Sequence, residues 1–276
     1  MRKILVVISA LALSLGLAPS AQAAKKFTVS SKLEDTSLTF GQQQRVTGSV
    51  SPASPGKTVK VYIHYASDSD GEYHYLGKST LSASSRFSKS FTPTDSGTTK
   101  IKVVKAASGS RASGSSTNSF KNYGYRRLST LPRTIESGVV ANDDTFTIGG
   151  LDSTDGYRFQ GGNGRARWST SGQCKEFVGY GGVPDSSTGT QASANYFARA
   201  TATGAVLVKH EGPFQQTGDR ETIRMKLYKK TDSGYTFARY LQIATQEQGG
   251  VEPRYGLLAT YLHCNLPGAE IDPNLA

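Results

Sequence analysis

Cysteine, methionine and tryptophan are scarce in this 276-residue chain, which holds two, two and one of them. The two cysteines, Cys174 and Cys264, suit an oxidising compartment and allow one intramolecular bridge. Closing a loop of about 90 residues contributes up to about 4–5 kcal/mol in the chain-entropy picture. The other reading of Cys264 is a nucleophile, but adjacent strand residues point to opposite faces, so His263 is no partner for it. Beyond the N-terminus no apolar run approaches the roughly 20 residues that span a bilayer. Long helical periods are missing too. Neither Gly-x-Ser-x-Gly nor His-Glu-x-x-His occurs, and the loop Asp68-Ser69-Asp70-Gly71 fails the EF-hand spacing. Enzyme motifs are therefore absent.

What is present begins with an export signal. Arg2 and Lys3 are followed by the apolar stretch Ile4 to Leu17, then Pro19 and the small-x-small triplet Ala21-Gln22-Ala23. That order predicts a signal peptide over residues 1–23, cleaved before Ala24. The product is expected outside the cell, with no transmembrane segment, free or held on the wall by non-covalent contacts.

Charge is distributed unevenly. Without the signal the chain carries about +9, from 30 basic and 21 acidic residues. Residues 25–120 hold 13 Lys/Arg against 6 Asp/Glu, and residues 121–276 hold 17 against 15. The basic excess of the first half fits either an anionic surface polymer as partner or a solvated, solubilising surface. Specific nucleic-acid binding lacks a recognition motif.

The first half reads as short strands between turns. Thr58 to Tyr65 alternates most clearly, with Val59, Val61, Ile63 and Tyr65 on one face and Lys60, Tyr62 and His64 on the other. Asp70-Gly71 signals a hairpin that returns through Tyr73 to Leu81. Arg86 to Phe91 and Lys100 to Lys105 follow, and Ala107 to Ser119 reads as a last strand fraying into a Ser/Gly-rich linker. The segments Thr47-Gly48-Ser49-Val50-Ser51-Pro52, Gly56-Lys57-Thr58-Val59, Leu76-Gly77 and Ser85-Arg86-Phe87 resemble the small bacterial immunoglobulin-like domains of secreted Gram-positive proteins. The resemblance implies an Ig-like β-sandwich over residues 24–120, acting as a spacer or adhesive module.

The second half is β again, with strands at Arg165 to Trp168, Lys175 to Tyr180, Ala194 to Ala200, Thr222 to Tyr228, Tyr235 to Ala244 and Tyr255 to Cys264. Two Gly-rich interruptions, Asp152 to Gly164 and Gly181 to Ser193, read as functional or mobile loops. Tyr123-Gly124-Tyr125 with Leu128, Thr147-Ile148-Gly149-Gly150, Ala166-Arg167-Trp168-Ser169, Cys174-Lys175-Glu176-Phe177-Val178-Gly179 and the closing strand resemble the galactose-binding-like jelly-roll modules, above all the NPCBM type. That resemblance implies a jelly-roll-like sandwich over residues 121–276 and a carbohydrate ligand. The expected fold class is thus all-β, two β-sandwich domains after a signal peptide.

Candidate ligand contacts follow from alternation. Around Trp168, Ala166 and Trp168 share the inner face while Arg165 and Arg167 face outward. With Tyr157 and Arg158 of the first Gly-rich loop and Asp185 of the second, these arginines form the expected ligand-binding set, able to grip an anionic or hydroxylated ligand bidentately. No cofactor, catalytic residue or metal ligand is assigned; His64 and His74 are expected as cross-strand neighbours. Asp152, Asp155, Asp185, Glu211, Asp219 and Glu221 are loop acids in no recognisable catalytic motif. The function expected is a secreted, non-catalytic binding protein for cell-wall or extracellular polysaccharide. The alternatives are a glycan hydrolase using loop carboxylates, and a structural module with a protein partner.

Overall fold

The computed structural model describes residues 24–153, 155–160, 163–248 and 254–268. The expected signal peptide lies outside the described residues. The chain is all-β and built as sandwiched antiparallel sheets. Among the described residues no helix is long and apolar enough to cross a membrane.

The first half contains β1 (Thr28–Leu33), β2 (Ser37–Thr39), β3 (Gln44–Ser51), β4 (Thr58–His64), β5 (His74–Thr80), β6 (Arg86–Phe91), β7 (Gly97–Lys105) and β8 (Gly114–Arg127). One sheet runs β1-β3-β6, and its partner runs β5-β4-β7-β8. The alternation that defines β4 in sequence holds: Val59, Val61 and Ile63 are buried while Lys60, Tyr62 and His64 turn outward. They meet Val46, Phe87, Ile101, Val103 and Phe120 in one apolar cluster. Burying such side chains contributes roughly 1.5–3 kcal/mol each.

The second half begins with β9 (Arg133–Ser137), β10 (Val139–Asp143), β11 (Thr147–Ile148), β12 (Leu151–Asp152), β13 (Gly156–Gln160), β14 (Arg165–Ser169) and β15 (Cys174–Gly182). It continues with β16 (Gln191–Arg199), β17 (Val206–Glu211), β18 (Gln215–Gln216), β19 (Arg220–Lys226), β20 (Tyr228–Thr231), β21 (Gly234–Phe237), β22 (Tyr240–Gln248) and β23 (Arg254–Cys264). One sheet has the order β17-β16-β22-β14-β9, with β18 on β16. The opposing sheet joins β10, β13, β23, β15 and β19. Trp168, Tyr157, Tyr196, Tyr255, Phe159 and Phe177 fill the space between them. The bridge between Cys174 and Cys264 is formed.

Three expectations change. The stretch Ala107 to Ser119 is no linker, because β8 begins at Gly114 and pairs with β7 from there to Asn122. A Cβ at Gly114 would lie 1.9 Å from the Phe27 carbonyl oxygen, so only glycine lets the strand pass there. The segment Tyr235 to Ala244 is not one strand: β21 folds back on β20, and β22 starts afresh at Tyr240. The Gly-rich stretch Asp152 to Gly164 contains β13, which pairs with both β10 and β23.

The expected boundary at 120/121 falls inside β8. Up to Asn122 this strand pairs with β7, and from Gly124 to Arg127 it pairs with β23. One ten-stranded sheet therefore runs through both halves, while the two large apolar clusters lie on either side of residue 121.

Candidate functional site

The outer face of the β17-β16-β22-β14-β9 sheet carries a defined hollow. Antiparallel register places directly opposed residues on one face. Arg167 is opposite Gln242, Gln242 opposite Phe197, and Phe197 opposite Lys209, which makes one row across four strands. The next row is Arg165, Ala244, Asn195 and Glu211. Arg199 stands opposite Tyr240 in a third. The inward residues between them are Ala166, Trp168, Ala194, Tyr196, Ala198, Leu241 and Ile243, all buried in the core. Small alanines alternating with large aromatics let this sheet pack closely while its other face stays polar.

Two adjoining hollows open on that face, of about 210 and 380 Å³. Arg165, Arg199 and Gln242 line both. Asn195, Phe197 and Gln246 complete the first, and Glu136, Arg167 and the Ala202-Thr203 turn complete the second. The guanidinium groups are held in place. Arg167 is 2.9 Å from Glu136 Oε1, and Arg165 is 3.4 Å from Glu136 Oε2. Arg199 donates to the Gly204 carbonyl at 2.8 Å, and Arg167 donates to that of Ala202. Their faces rest on aromatic rings: Arg167 over Tyr240 at 5.7 Å, Arg199 over Phe197 at 5.4 Å. Lys209 also lies over Phe197, at 5.7 Å, and pairs with Glu211. Two of the three arginines, Arg165 and Arg167, share the single carboxylate of Glu136, and Gln242, 5% exposed, lies at the floor. The arrangement presents fixed N–H donors and amides in a shallow cleft.

Of the five residues expected to contact ligand, Arg165 and Arg167 reach this cleft. Tyr157 is 1% exposed and packs edge-on against Trp168 at 5.1 Å, with Arg133 stacked on it at 5.2 Å. Burial raises its phenol pKa. Its inward turn follows from the strand that replaces the expected loop: β13 directs Tyr157 and Phe159 to the core. Arg158 points the other way, onto Asp143 at 2.7 Å, in the opposite sheet. Asp185 accepts the N–H groups of Gly149 and Gly150 at 2.8 and 3.1 Å and so caps the β11-β12 hairpin. Those three residues stand apart from the arginine pair. Sequence reasoning missed Arg199, Phe197, Asn195, Tyr240 and Gln242. The outward alternation of Asn195, Phe197 and Arg199 was the available signal, but nothing local says that their strand lies two places from β14.

Other polar clusters are tied up internally. Tyr255 donates to Glu221 Oε1 at 2.7 Å, Tyr196 lies 2.8 Å from Tyr255, and both phenol pKa values are raised well above normal by burial. Asp155 accepts from Ser129, Asp219 from the Gln216 N–H, and Glu211 pairs with Lys209. His64 and His74 are brought together by Asp68, whose Oδ2 lies 3.5 and 3.3 Å from them and also accepts the Tyr65 N–H. Among the described residues no group of three or more His, Cys, Asp or Glu side chains is arranged to hold a metal ion.

No protein-family model matches the chain, and no curated protein matches it in sequence. Solved structures similar to it include one titled for the promiscuous specificity of carbohydrate-binding modules from the β-sandwich superfamily. That pair is 14% identical with a TM-score of 0.32, covering 88% of this chain and 100% of the other. A DUF4785 family protein from Legionella pneumophila is 9% identical with a TM-score of 0.27, covering 86% of this chain and 47% of that one. A structure of infectious bursal disease virus, Gt strain, is 11% identical with a TM-score of 0.26, over 88% and 58%. The chain spans about half the length of these last two.

Proposed function

We propose that the chain is an exported, non-catalytic protein that binds extracellular or cell-wall glycan through the arginine cleft. In this reading residues 24–120 and 121–276 act as two joined sandwich domains, Ig-like and jelly-roll-like, and the cleft belongs to the second. The observation that carries it is the set of immobilised donors over an outward sheet face, with Arg165, Arg199 and Gln242 shared by two adjoining hollows. Sugar hydroxyls need donors and acceptors in fixed directions, and preorganised side chains lose little entropy on binding. Glu136 fixes Arg165 and Arg167, and the Gly204 carbonyl fixes Arg199. The cleft is therefore suited to hydroxyls of a neutral or mildly acidic glycan, met one by one by fixed donors. Phe197 and Tyr240 hold the guanidinium planes from beneath.

The test is a glycan array with the whole mature chain, followed by titration of the best ligand. Arg165→Gln combined with Arg199→Gln should weaken binding at least tenfold, and Gln242→Ala about three- to tenfold, with unchanged thermal stability. Unaltered affinity in the double variant, or no glycan retained, rejects the reading.

A further inference from the structure

The outer face of the first half has a different chemistry. Residues opposed across β5, β4, β7 and β8 again share a side of the sheet. Lys60 is opposite Lys78, Tyr62 is opposite both Tyr75 and Lys102, and His64 is opposite Lys100. On β8 the same side presents Ser115, Thr117, Ser119 and Lys121, all exposed. Lys60, Lys78, Lys100 and Lys121 are exposed and Lys102 is half-buried. The four strands, counted on β8 up to Lys121, contain no Asp or Glu at all. The nearest carboxylates in the sequence are Asp68, Asp70 and Glu72 of the β4-β5 hairpin and Asp95 just before β7. Asp68 is engaged by both histidines, and Asp95 by Ser67 and the N–H groups of Ser96 and Gly268. The five lysines thus stand on one sheet face without a carboxylate beside them on its strands. Neighbouring strands lie about 4.8 Å apart, so the lysines are spread over roughly 14 Å across the sheet.

We propose that this lysine face binds an acidic polysaccharide, as a second surface independent of the arginine cleft. The charges match a chain bearing repeated carboxylates or sulfates, and the exposed Ser115, Thr117 and Ser119 provide hydroxyl partners for its neutral groups. Lysine is a hydrated point charge on a flexible stem and follows a mobile polyanion without fixing its geometry. The aromatic pattern selects against single-stranded nucleic acid, which stacks successive bases on successive open rings. Here Tyr73 is covered by Lys102 at 5.3 Å, and Tyr62 meets Tyr75 edge-on at 5.6 Å. Tyr75, 58% exposed, is the open ring beside the lysines. A single ring suits one sugar face.

The experiment titrates the whole mature chain with polygalacturonate at 20 to 300 mM salt. Its comparison probes are methyl-esterified polygalacturonate, a single-stranded oligodeoxynucleotide and phosphatidylglycerol vesicles. Polygalacturonate should bind tightest, with affinity falling steeply as salt rises. The variant Lys60→Gln/Lys78→Gln/Lys102→Gln should lose at least tenfold in affinity at low salt and most of the salt dependence. Tyr75→Ala should lose about threefold with the salt dependence intact. Arg165→Gln/Arg199→Gln should bind like the unaltered chain, which separates this surface from the cleft. The proposal is overturned if the lysine variant binds equally well, if the oligonucleotide or vesicles bind tighter, or if polygalacturonate is not bound at 20 mM salt.

Discussion

Glu247 has both carboxyl oxygens buried without a hydrogen-bond partner, at the inner edge of β22 beside Ala192. Burial raises its pKa from 4.5 to about 7. Below about pH 4.5 the group is neutral in folded and unfolded chains alike. Between 4.5 and 7 the native state keeps the proton while the unfolded chain releases it, so this residue's contribution to stability is lost as pH rises through 7. Replacing Glu247 by Gln keeps the shape of the carboxyl group without the charge. The melting temperature of Glu247→Gln should exceed that of the unaltered chain at pH 8 and match it at pH 4; equal melting curves at both values reject the assignment. A second residue-scale constraint sits at Gly181, where a Cβ would come 2.2 Å from the Tyr255 hydroxyl and 2.8 Å from that of Tyr196. Gly181→Ala therefore pushes both phenols off Glu221. Overpacking of this kind costs about 1–3 kcal/mol. In chemical denaturation the loss should shrink when Tyr255→Phe removes the crowded oxygen, because the two changes share one contact.

At the scale of strands, legibility depended on where the apolar side chains fall. β4 and β19 were readable because every second residue is apolar and the intervening ones are polar: Ile223 and Met225 are buried while Arg224 and Lys226 are exposed. β8 was hidden because its start has no such alternation. Its half-buried Ser116 and Asn118 meet Ser31 through hydrogen bonds of 2.8 and 2.6 Å instead. β13 was hidden by glycines that read as loop, although Gly156 is needed where a Cβ would strike Ser153 Oγ at 2.3 Å. The site shows the same division. Trp168 inward and Arg165 and Arg167 outward follow from alternation in one strand. Arg199 and Gln242 join them only through the pairing of β14, β22 and β16, which no local pattern encodes. The cysteine pair was legible by arithmetic, and its effect is that of an element tie: it fastens the start of β15 to the end of β23, across 90 residues. The double variant Cys174→Ala/Cys264→Ala should lose about 2–4 kcal/mol in denaturant melts. A loss under 0.5 kcal/mol would mean that strand pairing alone holds that end.

Across the whole molecule, β8 makes the two halves mechanically dependent. Its Lys121–Tyr123 segment pairs in parallel with Ser37–Thr39, and its Gly124–Arg127 segment covers the edge of β23 from Tyr261 to Cys264. The contacts around this crossing are specific. Tyr125 stacks on His263 at 4.7 Å, Lys175 lies 3.5 Å from the centre of the Tyr123 ring, and its ammonium donates to Ser37 at 3.2 Å. Asn265 of the second half reaches Thr98 of the first at 3.1 Å. Burial, with Lys175 close by, lowers the His263 pKa and so disfavours a charge in this stack. Cutting the chain after residue 120 therefore removes the partner of β2 from the first half, and leaves the segment on β23 without the β7-paired stretch of the same strand that precedes it. An isolated piece of residues 24–127 retains the whole of β8 and should melt several degrees above a piece of residues 24–120. The intact chain from residue 24 onward should unfold in one calorimetric transition, since neither half can lose β8 without disturbing the other. Two well-separated transitions, or equal melting of the two pieces, would show that the shared strand joins the halves without coupling them.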